Sequence, residues 1–136
     1  MEFKNIKFVV FDFDGVFTNN SVFVSENGEE TVQCNRSDGI GLARLKDVNV
    51  KFYIISTESN KVVTQRAKKI KSPVIQNVKD KALVLKQVCK KEGFSLKETM
   101  FVGNDINDLP ALKIVGHPVG VNDSYSELDS FINFLS

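Results

Sequence analysis

Short apolar runs rich in β-branched and aromatic residues alternate with longer helical patterns, and this alternation constrains the chain most. "KFVVF" (7–11), "VKFYIIS" (50–56), "PVIQ" (73–76) and "TMFVG" (99–103) read as buried strands, with "HPVGV" (117–121) and "INFL" (132–135) as the last short ones. The intervening segments carry helical spacing. A helix capped by Asp38 is predicted through about Lys46, with Ile40, Ala43 and Leu45 facing inward. Val63, Ala67 and Ile70 fall at i, i+4, i+7 in a helix over about 59–69. Ala82, Leu85, Val88 and Cys89 mark another over about 79–92, ended by Gly93, and a short one covers 108–115. Strands alternating with such helices imply βαβ units and an α/β fold with a mostly parallel sheet. Right-handed crossovers then place helices on both faces. "SVFVSENGEETVQC" (21–34) departs from the rhythm and reads as a β-hairpin around Glu26, Asn27 and Gly28.

The chain has 136 residues, a length that suits one domain over 1–136, with the hairpin as a flap at about 18–35. Lys plus Arg is 18 and Asp plus Glu is 17, a net charge of +1. Such a balance offers no overall field for nucleic acid or a membrane surface. The locally dense lysines between Lys61 and Lys97 read as solvated helix faces. No apolar run approaches the roughly 20 residues that span a bilayer. The N-terminus lacks a signal-peptide pattern. Cys34 and Cys89 form no C-x-x-C pair and sit apart from the single histidine, His117, so reduced thiols in a cytoplasmic protein are expected. A zinc site, or a nucleophile served by His117, is disfavoured on the same ground.

In open parallel sheets, ligands sit beyond the carboxyl ends of the strands. The segments just past the predicted strands are 12–14, 56–58, 76–81 and 104–108, and all four are polar or ionisable. Asp12 and Asp14 end the first strand one residue apart, on the same side of an extended backbone. A hard divalent cation such as Mg²⁺ would relieve their repulsion by taking side-chain and backbone oxygens. An acidic loop that merely caps a helix is the plainer alternative. "GNDINDLPAL" adds Asn104, Asp105, Asn107 and Asp108, of which Asp108 could instead cap the helix that follows. Ser56 and Thr57 offer hydroxyls to a phosphate oxygen, unless they or Ser59 cap a helix. Lys79 or Lys81 could neutralise an anion, and a lysine at a helix N-terminus is otherwise misplaced against the helix dipole. Paired carboxylates, a cation, a hydroxyl and a lysine together suit phosphoryl transfer. One aspartate attacks in line, and the second handles the leaving-group proton.

"DFDGVFT", Ser56, Lys81 and "GNDIND" resemble, in order and placement, the four motifs of the haloacid dehalogenase-like phosphatase superfamily. "DGVFTNNSVFVSENGEE", "NRSDGIGLARLK", "IQNVKDKALVLKQV" and "FVGNDINDLPALKIVG" resemble its small capless subgroup. That subgroup includes 3-deoxy-D-manno-octulosonate 8-phosphate phosphatases and the phosphatase-like domain fused to acylneuraminate cytidylyltransferases. The resemblance covers nearly the whole chain. It implies a three-layer, Rossmann-like sheet with a hairpin flap in place of a cap domain, and a homotetramer in which a neighbouring subunit closes the site. It further implies a Mg²⁺-dependent phosphomonoesterase acting on an eight- or nine-carbon 3-deoxy sugar acid phosphate, in lipopolysaccharide or sialic acid synthesis.

On this resemblance Asp12 is the nucleophile and a metal ligand, and Asp14 is the general acid/base and binds metal through its carbonyl. Ser56 holds the phosphoryl group with Thr57, Lys81 rather than Lys79 is the motif lysine, and Asp108 orients it. The metal is completed by Asn104 or Asp105. The family has an acid directly after the motif-four glycine. Asn104 stands there, able to ligate through its carbonyl but bringing no charge. Thr57 and Glu58 replace the Gly-Arg or Gly-Glu that many sugar acid phosphatases of the subgroup have. Family members usually continue into a glycine-rich, Arg-Glu-containing tail, whereas this sequence stops at Ser136, so substrate selection by that tail is expected to be absent or supplied by something else. A second reading, from another class, is a catalytically weak or silent domain with an assembly role in sugar-nucleotide synthesis. A response-regulator receiver fits worse, because its acceptor aspartate belongs on the third strand, and "PVIQ" ends without one.

Overall fold

The computed structural model describes residues 5–121 and the backbone of 134–135. In chain order the elements are β1 (Phe8–Phe11), β2 (Phe23–Val24), β3 (Glu30–Thr31), α1 (Ser37–Asp47), β4 (Lys51–Ile55), α2 (Val62–Lys69), β5 (Val74–Ile75), α3 (Lys81–Glu92), β6 (Thr99–Gly103), α4 (Leu109–Ile114), β7 (His117–Gly120) and β8 (Phe134–Leu135). Short 3₁₀ turns precede β6 and α4. The main sheet has the order β5-β4-β1-β6-β7-β8, and every pairing is parallel.

Strand alternation divides the interior into two cores. Val9, Phe52, Ile54 and Val102 point to the face covered by α1 and α2, where Leu42, Val63 and Ala67 meet them. Phe8, Val10, Ile55 and Phe101 point to the face covered by α3 and α4, against Leu85, Val88, Ala111 and Leu112. Each large side chain buried in this way contributes about 1.5–3 kcal/mol. The three-layer α/β arrangement expected from the alternation is therefore present. Among the described residues no helix is long and apolar enough to cross a membrane.

β1 lies between β4 and β6, with Phe11 level with Ile54 on one side and Val102 on the other. The chain winds outward from β1 through β4 to β5, then returns to β6 on the opposite flank. The strand order reverses at β1, so the crevice past its carboxyl end is the favoured ligand position. His117 starts β7 and so lies toward the amino ends of the parallel strands, away from that crevice.

The hairpin forms as its own two-stranded sheet, with Phe23 opposite Thr31 and Val24 opposite Glu30. A bridge between Thr18 and Cys34 closes its base. Val22, Phe23 and Val24 on it are 49%, 72% and 62% exposed.

Several local expectations are corrected. Leu42 is buried and Leu45 half-buried in α1, whereas Ile40 is exposed and so is Ala43. Asp38 lies inside the first turn rather than capping it, and the Asn35 side-chain Oδ1 accepts from the Ser37 N–H and hydroxyl. α2 starts at Val62 rather than near Ser59, because Glu58 accepts from the Ser59 and Asn60 N–H groups and holds them in a loop. α3 starts at Lys81, since Asp80 caps it by accepting from the Leu83 N–H.

Candidate active site

The site begins where β1 ends. The Asp12 N–H continues the ladder by donating to the Val102 carbonyl at 2.9 Å. After it the chain turns: the Val16 and Phe17 N–H groups donate to the Phe13 carbonyl. Gly15 adopts φ +84° in this turn, and a Cβ there would lie 1.8 Å from the Asn104 side-chain nitrogen. Only glycine meets both the backbone angle and the close approach. The turn therefore brings the first and fourth strand ends into contact.

Lys81 joins the remaining corners. From the first position of α3 its side chain reaches the carboxyl end of the central strand β1, and the residue is 2% exposed. Its Nζ lies 2.9 Å from Asp12 Oδ1 and 2.6 Å from Asp108 Oδ1. Asp12 Oδ1 also accepts from the Phe13 N–H at 2.7 Å. Asp108 does not cap α4 with its side chain. Its Oδ2 accepts instead from the Asn104 and Asp105 N–H groups at 3.0 and 3.2 Å. This carboxylate thus fixes both the lysine and the loop carrying Asn104. Lys79, the other candidate lysine, is exposed.

Ser56 is buried just past β4, its N–H bonded to the Ile75 carbonyl and its hydroxyl oxygen accepting from the Glu58 N–H at 3.1 Å. Accepting one bond leaves its hydrogen free to donate. Thr57 is exposed and faces Asn107, whose side-chain nitrogen is 3.5 Å from its Oγ1. Asp14 is half-buried, and Asp105 accepts from the Ile106 N–H at 2.6 Å, which ties its side chain to the 3₁₀ turn. All the candidate residues except Lys79 are therefore gathered around the end of β1.

Burial shapes the charges. The Asp12 carboxyl is pushed up to about 7, first by burial and then by Asp108, against the opposing pull of Lys81. Asp14 is also raised, by burial first and then by the Glu58 carboxylate. Burial alone would lower the Lys81 ammonium, but Asp12 and Asp108 outweigh it and hold the group above its ordinary value.

A hard cation would find oxygen here. Asn104 is 4% exposed, and its Oδ1 is buried without a hydrogen-bond partner among the described residues. An unpaired buried oxygen costs about 1–3 kcal/mol, which a bound cation would offset. No group of three or more carboxylate, thiolate or imidazole side chains is gathered to hold a metal among the described residues. The Asp12 carboxylate, the Asp14 carbonyl and the Asn104 amide oxygen are the hard donors that could hold a divalent cation.

Two supporting roles, those of Thr18 and Gln76, escaped the sequence reading. Thr18 Oγ1 accepts from the Gly15 and Asn20 N–H groups at 3.1 and 3.0 Å, pinning the turn. The Gly-x-x-Thr spacing was its only signal. Gln76 donates to the Glu58 and Asn60 carbonyls at 2.9 and 3.0 Å, and so holds the loop that carries Ser56. Glu58 and Glu30, together with Asn20, Ser21 and Asn60, also line a cavity of about 150 Å³ beside Asp14, between flap and loop.

Known proteins share this fold and family pattern. A 3-deoxy-D-manno-octulosonate 8-phosphate phosphatase of Haemophilus influenzae is 28% identical over 122 residues, 89% of this chain and 68% of that protein. The Salmonella typhi enzyme of the same name is 27% identical and is covered over 65% of its length, so the chain spans about two thirds of these curated relatives. A crystal structure from Streptomyces avermitilis, assigned to the haloacid dehalogenase family, is 38% identical, with a TM-score of 0.95 over 100% of this chain and 78% of that one. The Moraxella catarrhalis octulosonate 8-phosphate phosphatase, solved with magnesium, phosphate and the sugar acid, is 29% identical, with a TM-score of 0.92 over 98% of this chain and 78% of that one. The sequence pattern of haloacid dehalogenase-like hydrolases matches residues 43–135, more than half of the chain. The protein belongs to the haloacid dehalogenase-like hydrolase family.

Proposed function

We propose that the protein is a Mg²⁺-dependent phosphomonoesterase acting on a phosphorylated 3-deoxy sugar acid of eight or nine carbons. The observation that carries this reading is Lys81, buried between Asp12 and Asp108 at the sheet's switch point. Asp12 attacks phosphorus, forming a new P–O bond as the ester P–O bond breaks. The Phe13 N–H and Lys81 fix the orientation of its carboxylate. Asp14, whose raised pKa favours the acid form, gives its proton to the departing alkoxide. It then takes a proton from the water that attacks the aspartyl-phosphate, which releases phosphate and restores Asp12. Ser56, Thr57 and Lys81 hold the phosphoryl oxygens, and Asp108 positions Lys81. Asp12, the Asp14 carbonyl and Asn104 would hold a Mg²⁺, which would supply positive charge to the phosphoryl group. Asn104 suits this place better than Asp105, whose Oδ1 already accepts from the Ile106 N–H.

The exposed Phe23 and Val24 of the flap offer a surface on which further copies would pack into a tetramer. The test is hydrolysis of 4-nitrophenyl phosphate and of 3-deoxy-D-manno-octulosonate 8-phosphate with Mg²⁺. Asp12→Asn should reduce the rate at least about a thousandfold with the fold intact. Activity surviving in that variant rejects the mechanism, and full activity in a chelator rejects the metal. A second reading, a weakly active domain with an assembly role, is favoured by the uncharged Asn104 and, separately, by the exposed apolar flap. A folded oligomer without hydrolysis of either ester would select it.

A further inference from the structure

We propose that Asn104 makes divalent-cation binding conditional on a bound phosphoryl group, so that the cation is retained only while an oxyanion shares it. This rests on the phosphatase reading above. Lys81 is ion-paired with both Asp12 and Asp108, and the three side chains are 1%, 7% and 0% exposed. The carboxylate that would anchor the cation is therefore already shared with an ammonium group. Asp108 is spoken for twice, by Lys81 and by the Asn104 and Asp105 N–H groups. Asn104 stands against the Gly15 turn with its Oδ1 buried and unpartnered, so it offers a ligand atom without a charge.

A divalent ion entering this site must shed water, which Mg²⁺ does reluctantly. In exchange it meets one shared carboxylate and neutral oxygens. A phosphate dianion supplies the missing negative charge and further oxygen ligands. The two ligands then assist one another, and thermodynamic linkage requires the assistance to be equal in both directions.

Mn²⁺ binding to the full chain, counted from the free-ion electron paramagnetic resonance signal, tests this without reference to turnover. Affinity should rise at least about tenfold when inorganic phosphate is added, within the usual range for coupled ligands. Asn104→Asp, which changes charge at constant volume, should bind Mn²⁺ at least about tenfold tighter without phosphate and should show a smaller phosphate effect. The unsubstituted protein with and without phosphate gives the answer even if that variant fails to fold. Equal Mn²⁺ affinity in the presence and absence of phosphate overturns the inference and leaves the phosphatase reading standing. No Mn²⁺ binding with or without phosphate overturns both the inference and the metal on which that reading depends.

Discussion

Replacing Lys81 by methionine gives the sharpest test of how the site is held together. The ammonium sits 2.9 Å from Asp12 and 2.6 Å from Asp108, and all three side chains are at least nine-tenths buried. Removing one member of a buried ion pair costs about 3–5 kcal/mol, because the remaining charge is left uncompensated. Here two carboxylates are left, a large share of the 5–15 kcal/mol or so that stabilises a typical domain. The penalty must also depend on pH. In the unsubstituted protein Asp12 already titrates at about 7 against an ordinary 3.8. Its folded state therefore holds the proton more tightly, and stability falls as pH rises through that window. Above about pH 7 this contribution is complete. In Lys81→Met the lowering influence of the ammonium is lost, so the carboxyl titrates higher and the fall continues past pH 7. Each further unit costs up to about 1.4 kcal/mol. Lys81 itself stays charged in this range, since its own pKa is raised from 10.5 and its contribution is lost only above that value. Urea unfolding of both proteins without metal, at pH 7 and pH 9, measures the difference. A destabilisation below about 1 kcal/mol, or one equal at the two pH values, refutes the reasoning.

Other expectations concern the scaffold. Leu42→Ala should cost about 2–5 kcal/mol while Ile40→Ala stays within about 0.5, a contrast that denaturant melts read directly. Gly15→Ala forces an L residue to φ +84° and a methyl into Asn104, so it should destabilise by at least about 1–3 kcal/mol and abolish Mn²⁺ binding in the presence of phosphate. Phe23→Glu, on the exposed flap, should leave the melting temperature within a few degrees and convert any oligomer to smaller species in light scattering.

The strand ends were the most legible part of the sequence, for a physical reason. Burial on both faces makes each parallel strand a continuous apolar run, so the first polar residue after it marks a corner. Asp12, Ser56 and Asn104 stand out in this way. The inward face of α1 was hidden because one of its positions is Gly39, which approaches Ile70 at the end of α2 and carries no side chain to show the phase. Without it, Ile40 passed for a core residue. The start of α2 was misplaced because side-chain bonds from Glu58 and Asn60 hold the loop, and these follow from rotamers rather than from pattern. The two bonds that Asp108 Oδ2 accepts were equally invisible, since a capping aspartate and a lysine-orienting aspartate look alike in a sequence.

The central place of β1 has a consequence for how the molecule comes into being. The strand that carries Asp12 leaves the ribosome first, yet its partners lie at 51–55 and 99–103. A nascent chain therefore holds an apolar segment with both edges unpaired until residues 51–55 have been made, and with one edge unpaired until residues 99–103 follow. Pairings this distant in sequence slow folding and expose such segments to aggregation. The site is more non-local still, because Lys81 acquires its second carboxylate only once Asp108 has emerged. No fragment ending before that residue can hold Lys81 between its two carboxylates, so the buried charge cluster closes only after β6 has been made.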